Sequence, residues 1–473
     1  MMGTTRLWAA TILFLATLAA AWLTHGTGVV ANDPERRIHI PEALTMPLQI
    51  KAAYDGERMF FRYRWPTERP HIYHDMLRYR GGEWQRIGKS PVGPQPQGIY
   101  EDRVSMLVDD GRVPEFDRYG GFATIGDHMR FFTDQASKEE VKAHPYLGQK
   151  KGKDDVRKFL PATREDPADW GSVVSEQELA ALREAGYFLD FWHWRAHRSN
   201  PIGKSDDQHV AEFRYGDKGD GVYFTNWDDE HGHPKLMFDP EKVGFRALDW
   251  EDIDRQRLGF EDIYYLREAD AVPFDPDHAW QDGDTIPRRV LRPGGGSHAD
   301  IDVAGEARWR EGYWDVTLVR PMDTGHPLDD KAFEAKRVYW VGAAVHRNAT
   351  GSRWHYVSLP TTVGLEREAD IRAVRFEGES PSWEQPWHEL TLFYPGQIGW
   401  PLLTGKRHAG AERMAEGVPV HARHTPEQLA HYAVELEFNA AVIRHWLWTT
   451  IAGVLLIVGL GIALIRTLRA EES

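Results

Sequence analysis

Cysteine is absent from the 473 residues. Without a thiol the chain can form no disulfide, thiolate metal centre, iron–sulfur cluster or thioether-linked haem. Stability must therefore come from core packing. Basic excess is missing as well. There are 57 Lys and Arg against 72 Asp and Glu, a net charge of −15, which argues against nucleic acid or an anionic lipid surface as partner. Nor is there a nucleophile elbow, a phosphate-binding glycine loop or an HExxH motif, so nothing favours hydrolysis or nucleotide chemistry. No internal repeat stands out. What the chain does hold is 19 Trp and 22 His. Tryptophan suits sandwich cores and flat ligand faces, and histidine is the commonest nitrogen ligand for metals and haem iron.

Two apolar runs place the protein. Trp446 to Ile465 carries no charge and is followed by Arg466 and Arg469. Twenty helical residues span the roughly 30 Å hydrocarbon core of a bilayer. Arginines just beyond the run favour the cytoplasmic side, so the preceding chain is expected outside, in the periplasm, with a single-pass C-terminal anchor in the inner membrane. At the other end Arg6 precedes an apolar run from Leu7 to Leu23, and Val29 and Ala31 fit cleavage of a signal peptide after Ala31. An uncleaved anchor is the alternative. The expected organisation is residues 1–31 as leader or anchor, 32–375 as the main domain, 376–440 as an irregular linker with a pre-membrane helix, 441–466 as the transmembrane helix and 467–473 as a cytoplasmic tail.

Between these ends the pattern is mainly β. Ile38 to Trp65 alternates and breaks at Asp55-Gly56, which predicts a hairpin. Strand signals recur at 102–108, 186–195, 221–227, 314–320, 337–345 and 355–359. Residues 133–186 are polar, with helical stretches such as EQELAALREAG, and are expected to form an insertion. Residues 239–298 look loop-rich and end in Pro293-Gly294-Gly295-Gly296, read as a flexible connection. Many short strands with Gly, Pro and Asp punctuation predict an antiparallel β-sandwich or barrel.

Four segments then carry a resemblance: EDRVSML (101–107), FLDFWHWRAHRSNPIGKSDD (188–207), YWDVTLVRPM (313–322) and GSRWHYVSLP (351–360). In this order they resemble the haem-binding domain of the ethylbenzene dehydrogenase gamma subunit, and of related dimethyl-sulfide, selenate and chlorate enzymes of the dimethyl-sulfoxide-reductase class. The resemblance spans roughly residues 40 to 375 and implies a β-sandwich holding one b-type haem for periplasmic electron transfer. It implies a methionine and a lysine as axial ligands. Aligned on Ser358, the lysine position holds His355, which keeps ligation feasible. The methionine position falls near Thr124-Ile125-Gly126, where no methionine stands; Met129 and His128 lie just beyond. Met106 alternates with its neighbours and reads as core. Val420, Arg423 and His424 keep the spacing of a CxxCH haem motif without its cysteines, so His424 reads as a surface residue.

The remaining constellations are weaker. His193 and His197 would lie about 13 Å apart on a strand, too far for a shared metal. Trp192 or Trp194 could wall a haem pocket, with Arg195 or Arg198 near a propionate. Asp206-Asp207 reads as a turn, with calcium as the lesser alternative. The acidic run 275–284 reads as a solvated loop. The resulting expectation is a tethered periplasmic protein, non-covalently binding haem b through His355 and Met129 (or His128). It would relay electrons rather than catalyse, between a periplasmic redox enzyme of the molybdenum type and a membrane quinol or cytochrome system. The alternative is a ligand-binding or assembly module that has lost its haem.

Overall fold

The hairpin forms because Asp55 caps its own turn. Its Oδ1 accepts from the backbone N–H of Glu57 and of Arg58, at 2.9 and 2.7 Å, and Gly56 follows at φ +104°. In this computed structural model β1 (Thr45–Tyr54) therefore pairs antiparallel with β2 (Arg58–Pro66). The structure describes residues 8–9, 11–16, 18, 45–88, 99–114, 116–124, 136–156, 158–167, 169–347, 355–393 and 434–471, the last to its backbone only before 446. They fall into two units, a β-rich one within Ile40–Ile398 and one holding the terminal helices.

Fourteen strands make the main sheet of the β unit. After the hairpin come β3 (Arg103–Asp109), β4 (Leu189–Arg195), β5 (Asp206–Val210), β6 (Arg214–Gly216), β7 (Asp302–Val303), β8 (Arg308–Arg310), β9 (Tyr313–Pro321), β10 (Val338–His346), β11 (His355–Ser358), β12 (Thr361–Leu365), β13 (Ile371–Arg375) and β14 (His388–Phe393). The spatial order is β7-β9-β2-β1-β13-β12-β10-β3-β4-β5-β6. β14 bridges β1 to β11, and β11 pairs with β10, so β1, β13, β12, β10, β11 and β14 close a ring. Closure folds the sheet over itself, placing β9-β2-β1 against β10-β3-β4-β5 and covering sheet edges.

Alternation fills the space between these layers. Trp65 and Trp314 are register partners on β2 and β9 and stack at 6.1 Å. From the opposing layer Trp194 meets them at 5.9 and 5.1 Å, and Trp192 packs edge-on to Phe61 at 5.4 Å. The same inner face carries Arg320, whose guanidinium lies 4.8 Å from the Trp192 ring centroid.

Several expectations need correction. The sandwich does not stop at residue 375, because β14 (His388–Phe393) hydrogen-bonds to both β1 and β11; its short HELTLF run looked too isolated to read as a strand. Asp206 and Asp207 are not a turn but open β5, buried and ion-paired. The glycine run is not a loose connection. Gly295–Gly296 pairs with Gly219–Asp220, and a Cβ on Gly219 would lie 2.0 Å from the Gly295 carbonyl oxygen. Val113, Phe116, Leu160 and Tyr187 pack on Leu107, Leu189, Phe191 and Val210, covering part of the outer face of β3, β4 and β5.

In the other unit the helix α1 (Val434–Glu471) contains Trp446–Ala470, a stretch of mean hydropathy 2.4 with none of it buried. By length and composition it can cross a membrane.

Candidate functional site

Strand register brings one polar band onto the outer face. His355 on β11 is the direct partner of His346 on β10, His346 of Arg103 on β3, and Arg103 of Arg195 on β4. Directly opposed residues of antiparallel strands share a face, so these four side chains form a row across four strands. Two residues along, the next row reads Val357, Ala344, Ser105 and His193. Small side chains at Ala344 and Ser105 thus leave a low floor between histidines.

The imidazoles stack. His355 lies 4.6 Å from His346 with 15° between ring planes, and His346 lies 6.3 Å from His193 at 26°. Burial, then Arg103 and His355, holds His346 well below the usual imidazole range. Burial and Arg195 do the same for His193. Both rings are therefore neutral, the form that can act as a metal ligand. His193 is nevertheless set as a donor. Its Nδ1 lies 2.9 Å from Arg195 Nη2, and a guanidinium only donates, so the ring proton must sit on Nε2. Among the described residues the buried Nε2 of His193 and the buried Nδ1 of His346 both have no hydrogen-bond partner.

Cations rim this floor although the whole chain is acidic. Arg103, Arg214 and Lys158 all act on His346 through their charge. Lys158 donates to Thr124 Oγ1 at 3.1 Å, and the Phe159 N–H donates to the Thr124 carbonyl at 2.9 Å, tying the insertion to the short 3-10 turn Gly120–Thr124. That turn approaches the sheet closely. A Cβ on Gly342 of β10 would meet Gly121 N at 3.2 Å and Phe116 Cζ at 3.3 Å, so a side chain there would crowd the turn.

The predicted site residues divide between two faces. His355 joins His346 and His193 on the outer face, and Arg195 shares it. Trp192 and Trp194 alternate with these and point into the sandwich core, both fully buried, so they do not wall the same pocket. Arg195 is engaged by Asp206 and His193, and Arg198 donates to Glu101 Oε1 at 2.5 Å, so neither guanidinium is open to a propionate. His197 hydrogen-bonds the Ile72 carbonyl through Nδ1 at 2.9 Å, away from His193. Met129, His128 and His424 lie outside the described residues. Sequence reading missed His346 and Lys158. Only register reveals His346 as the partner of His355, and only tertiary packing brings Lys158 over the sheet.

A second cluster could be taken for a metal centre. Ligand atoms of Asp190, Asp207 and Asp330 lie within 4.8 Å of one another. Arg320 already fills it: Nη2 meets Asp190 Oδ2 at 2.6 Å, and Nη1 meets Asp207 Oδ2 at 2.8 Å and Asp330 Oδ1 at 2.9 Å. With Asp300 and Asp217 nearby the acids outnumber the cation, and burial pushes Asp330 up to about 7. The cluster is a built-in ion network rather than an open site.

The outer-face histidines, low floor and cationic rim fit an anionic, flat group bearing a metal that accepts imidazole. Within the stacked pair, the buried Nδ1 of His346 is without a partner among the described residues, a donor of the kind such a group takes. A search of curated proteins finds no match. The family model described as ethylbenzene dehydrogenase matches residues 22–358, a span that ends with β11 and takes in every strand of the polar band. The chain belongs to the ethylbenzene dehydrogenase family.

Proposed function

We propose that the protein is a membrane-tethered electron-transfer subunit of a periplasmic redox complex, holding one non-covalent haem b on the outer face of β10 and β11. The observation that carries this reading is the stack of His355 on the His346 imidazole, above the floor of Ala344 and Ser105. Family membership supports the redox setting. When bound, the haem supplies a one-electron couple. His355 would hold the iron through a ring nitrogen. His346 packs against the face of His355, orients it, and stays uncharged because burial and Arg103 disfavour its protonation. Met129, with His128 as the alternative, would be the second residue to hold the iron. Two protein ligands leave the iron no open position for substrate, which suits relay rather than catalysis.

The partner in this reading is a molybdenum-dependent periplasmic enzyme, with a membrane quinol or cytochrome system at the other end. Arg466 and Arg469 beyond the apolar helix favour a cytoplasmic C-terminus and hence a periplasmic β unit. Expression of the full chain in a haem-replete host, followed by a reduced-minus-oxidised spectrum, tests the proposal. Sharp Soret and α bands that vanish or shift in His355→Ala are expected. A colourless, folded wild-type protein would leave the binding or assembly module as the better account, and an unchanged His355→Ala spectrum would move the ligand elsewhere.

A further inference from the structure

Lys158 presents an unusual energetic problem. Its ammonium is partly buried and carries three donors, yet among the described residues it makes a single hydrogen bond, to Thr124 Oγ1. Among the described residues it meets no carboxylate; the charged group acting on it is Arg214, of the same sign. Burial and that neighbour lower it to about 8. Enclosing a charge without a counter-charge is costly, and proteins ordinarily pair it or discharge it. This chain has 15 more acidic than basic side chains and places none of the described ones here. The counter-charge is therefore expected from outside the described residues.

Geometry says what kind. Lys158 lies close enough to His346 to depress its protonation, as does Arg103. His346 is the register partner of both His355 and Arg103, so Arg103 stands two strands from His355, about 10 Å at roughly 4.8 Å per strand. That separation is of the order of the distance from the iron to a propionate carboxylate in a porphyrin. Arg195 and Arg198, which the sequence pattern offered for this task, are closed off by Asp206 and Glu101.

We propose that Lys158, reaching over the sheet from the insertion, is the anchor for a haem propionate, with the charge of Arg214 beside it. This rests on the haem reading above. The two free N–H donors of Lys158 would meet one carboxylate of the cofactor, and the same contact would tie the insertion down over the bound group. A charge-assisted bond in a low-dielectric setting favours a carboxylate over an uncharged ester.

The test uses the full chain in detergent, loaded with haem or with haem dimethyl ester, and follows transfer of each to apomyoglobin. Lys158→Gln should lose native haem roughly tenfold faster than wild type, while the ester leaves both proteins at the same rate. Lys158→Arg should restore slow loss. The positions of the reduced bands should not move in either variant. Without haem, Lys158→Gln should melt no lower than wild type, because it removes an uncompensated charge. Equal loss of native haem from wild type and Lys158→Gln would overturn the assignment, as would a lower melting point of the haem-free variant, which would mark a structural lysine. A change from low-spin to high-spin bands would also overturn it by putting the lysine on the iron. Failure of wild type to take up haem at all would instead remove the underlying reading.

Discussion

Arg320 shows how one residue can stand in for an ion. Its guanidinium bridges Asp190, Asp207 and Asp330 in the sandwich interior and lies over the Trp192 ring. Removing one partner of such a network strands the others, so Arg320→Met should cost about 3–5 kcal/mol in chemical unfolding. Three carboxylates with ligand atoms within 4.8 Å would then lack a cation. Millimolar calcium should raise the melting temperature of Arg320→Met and leave wild type unchanged; a variant indifferent to calcium would show that the acids relax apart or stay protonated. His74 gives a pH signature of its own. Burial, then Arg198, Arg103 and Arg289, keeps its ring far below the ordinary range, so it is neutral when folded. The unfolded chain takes up a proton below about pH 6.5, so stability is intact above that pH and declines as pH falls. The slope per histidine is at most about 1.4 kcal/mol per pH unit. His74→Gln should flatten this acid limb, which urea midpoints at pH 5 and pH 7 would reveal as a smaller difference than in wild type.

At the level of elements, β4 explains both what the sequence disclosed and what it hid. The run LDFWHWR announces a strand, and its alternation is visible without coordinates. Which face is core is not visible, because both faces are buried: Trp192 and Trp194 inside the sandwich, His193 and Arg195 on its outer face. Sequence reasoning therefore gathered Trp and Arg into one pocket wall that the pleat separates. His355 was legible through its place relative to Ser358, which donates no clue to its neighbour; His346 emerges only from the β10–β11 register. Likewise HELTLF, six residues between irregular stretches, reads as linker until its pairing with β1 is known. The division of faces is testable. Trp194→Ala opens a cavity among Trp65, Trp194 and Trp314 and should cost about 3–5 kcal/mol in stability. Because the residue faces away from His355, any haem bands should keep their positions; a shifted Soret band would mean that Trp194 contacts the cofactor.

For the whole molecule, the acidic surface and the exposed apolar helix set where it works. Trp446–Ala470 leaves its apolar side chains uncovered, so the full chain should sediment with membranes and resist alkaline carbonate, while a chain ending before Trp446 should stay in the supernatant. Carbonate release of the full chain would show that the helix lies on the bilayer or packs against protein instead. A net charge of −15 over the whole chain disfavours adhesion to anionic headgroups.

The pairing of β14 with β1 has one more consequence. Thr45 stands opposite Phe393, so the first and last strands of the β unit begin and end at a common corner. The domain is thus nearly endless as a polypeptide. Splicing 393 to 45 through a short linker and cutting instead at the tight Asp55-Gly56 bend would preserve the strand ladders. Such a circularly permuted protein would fold to the same architecture with its tether moved to the opposite end of the hairpin.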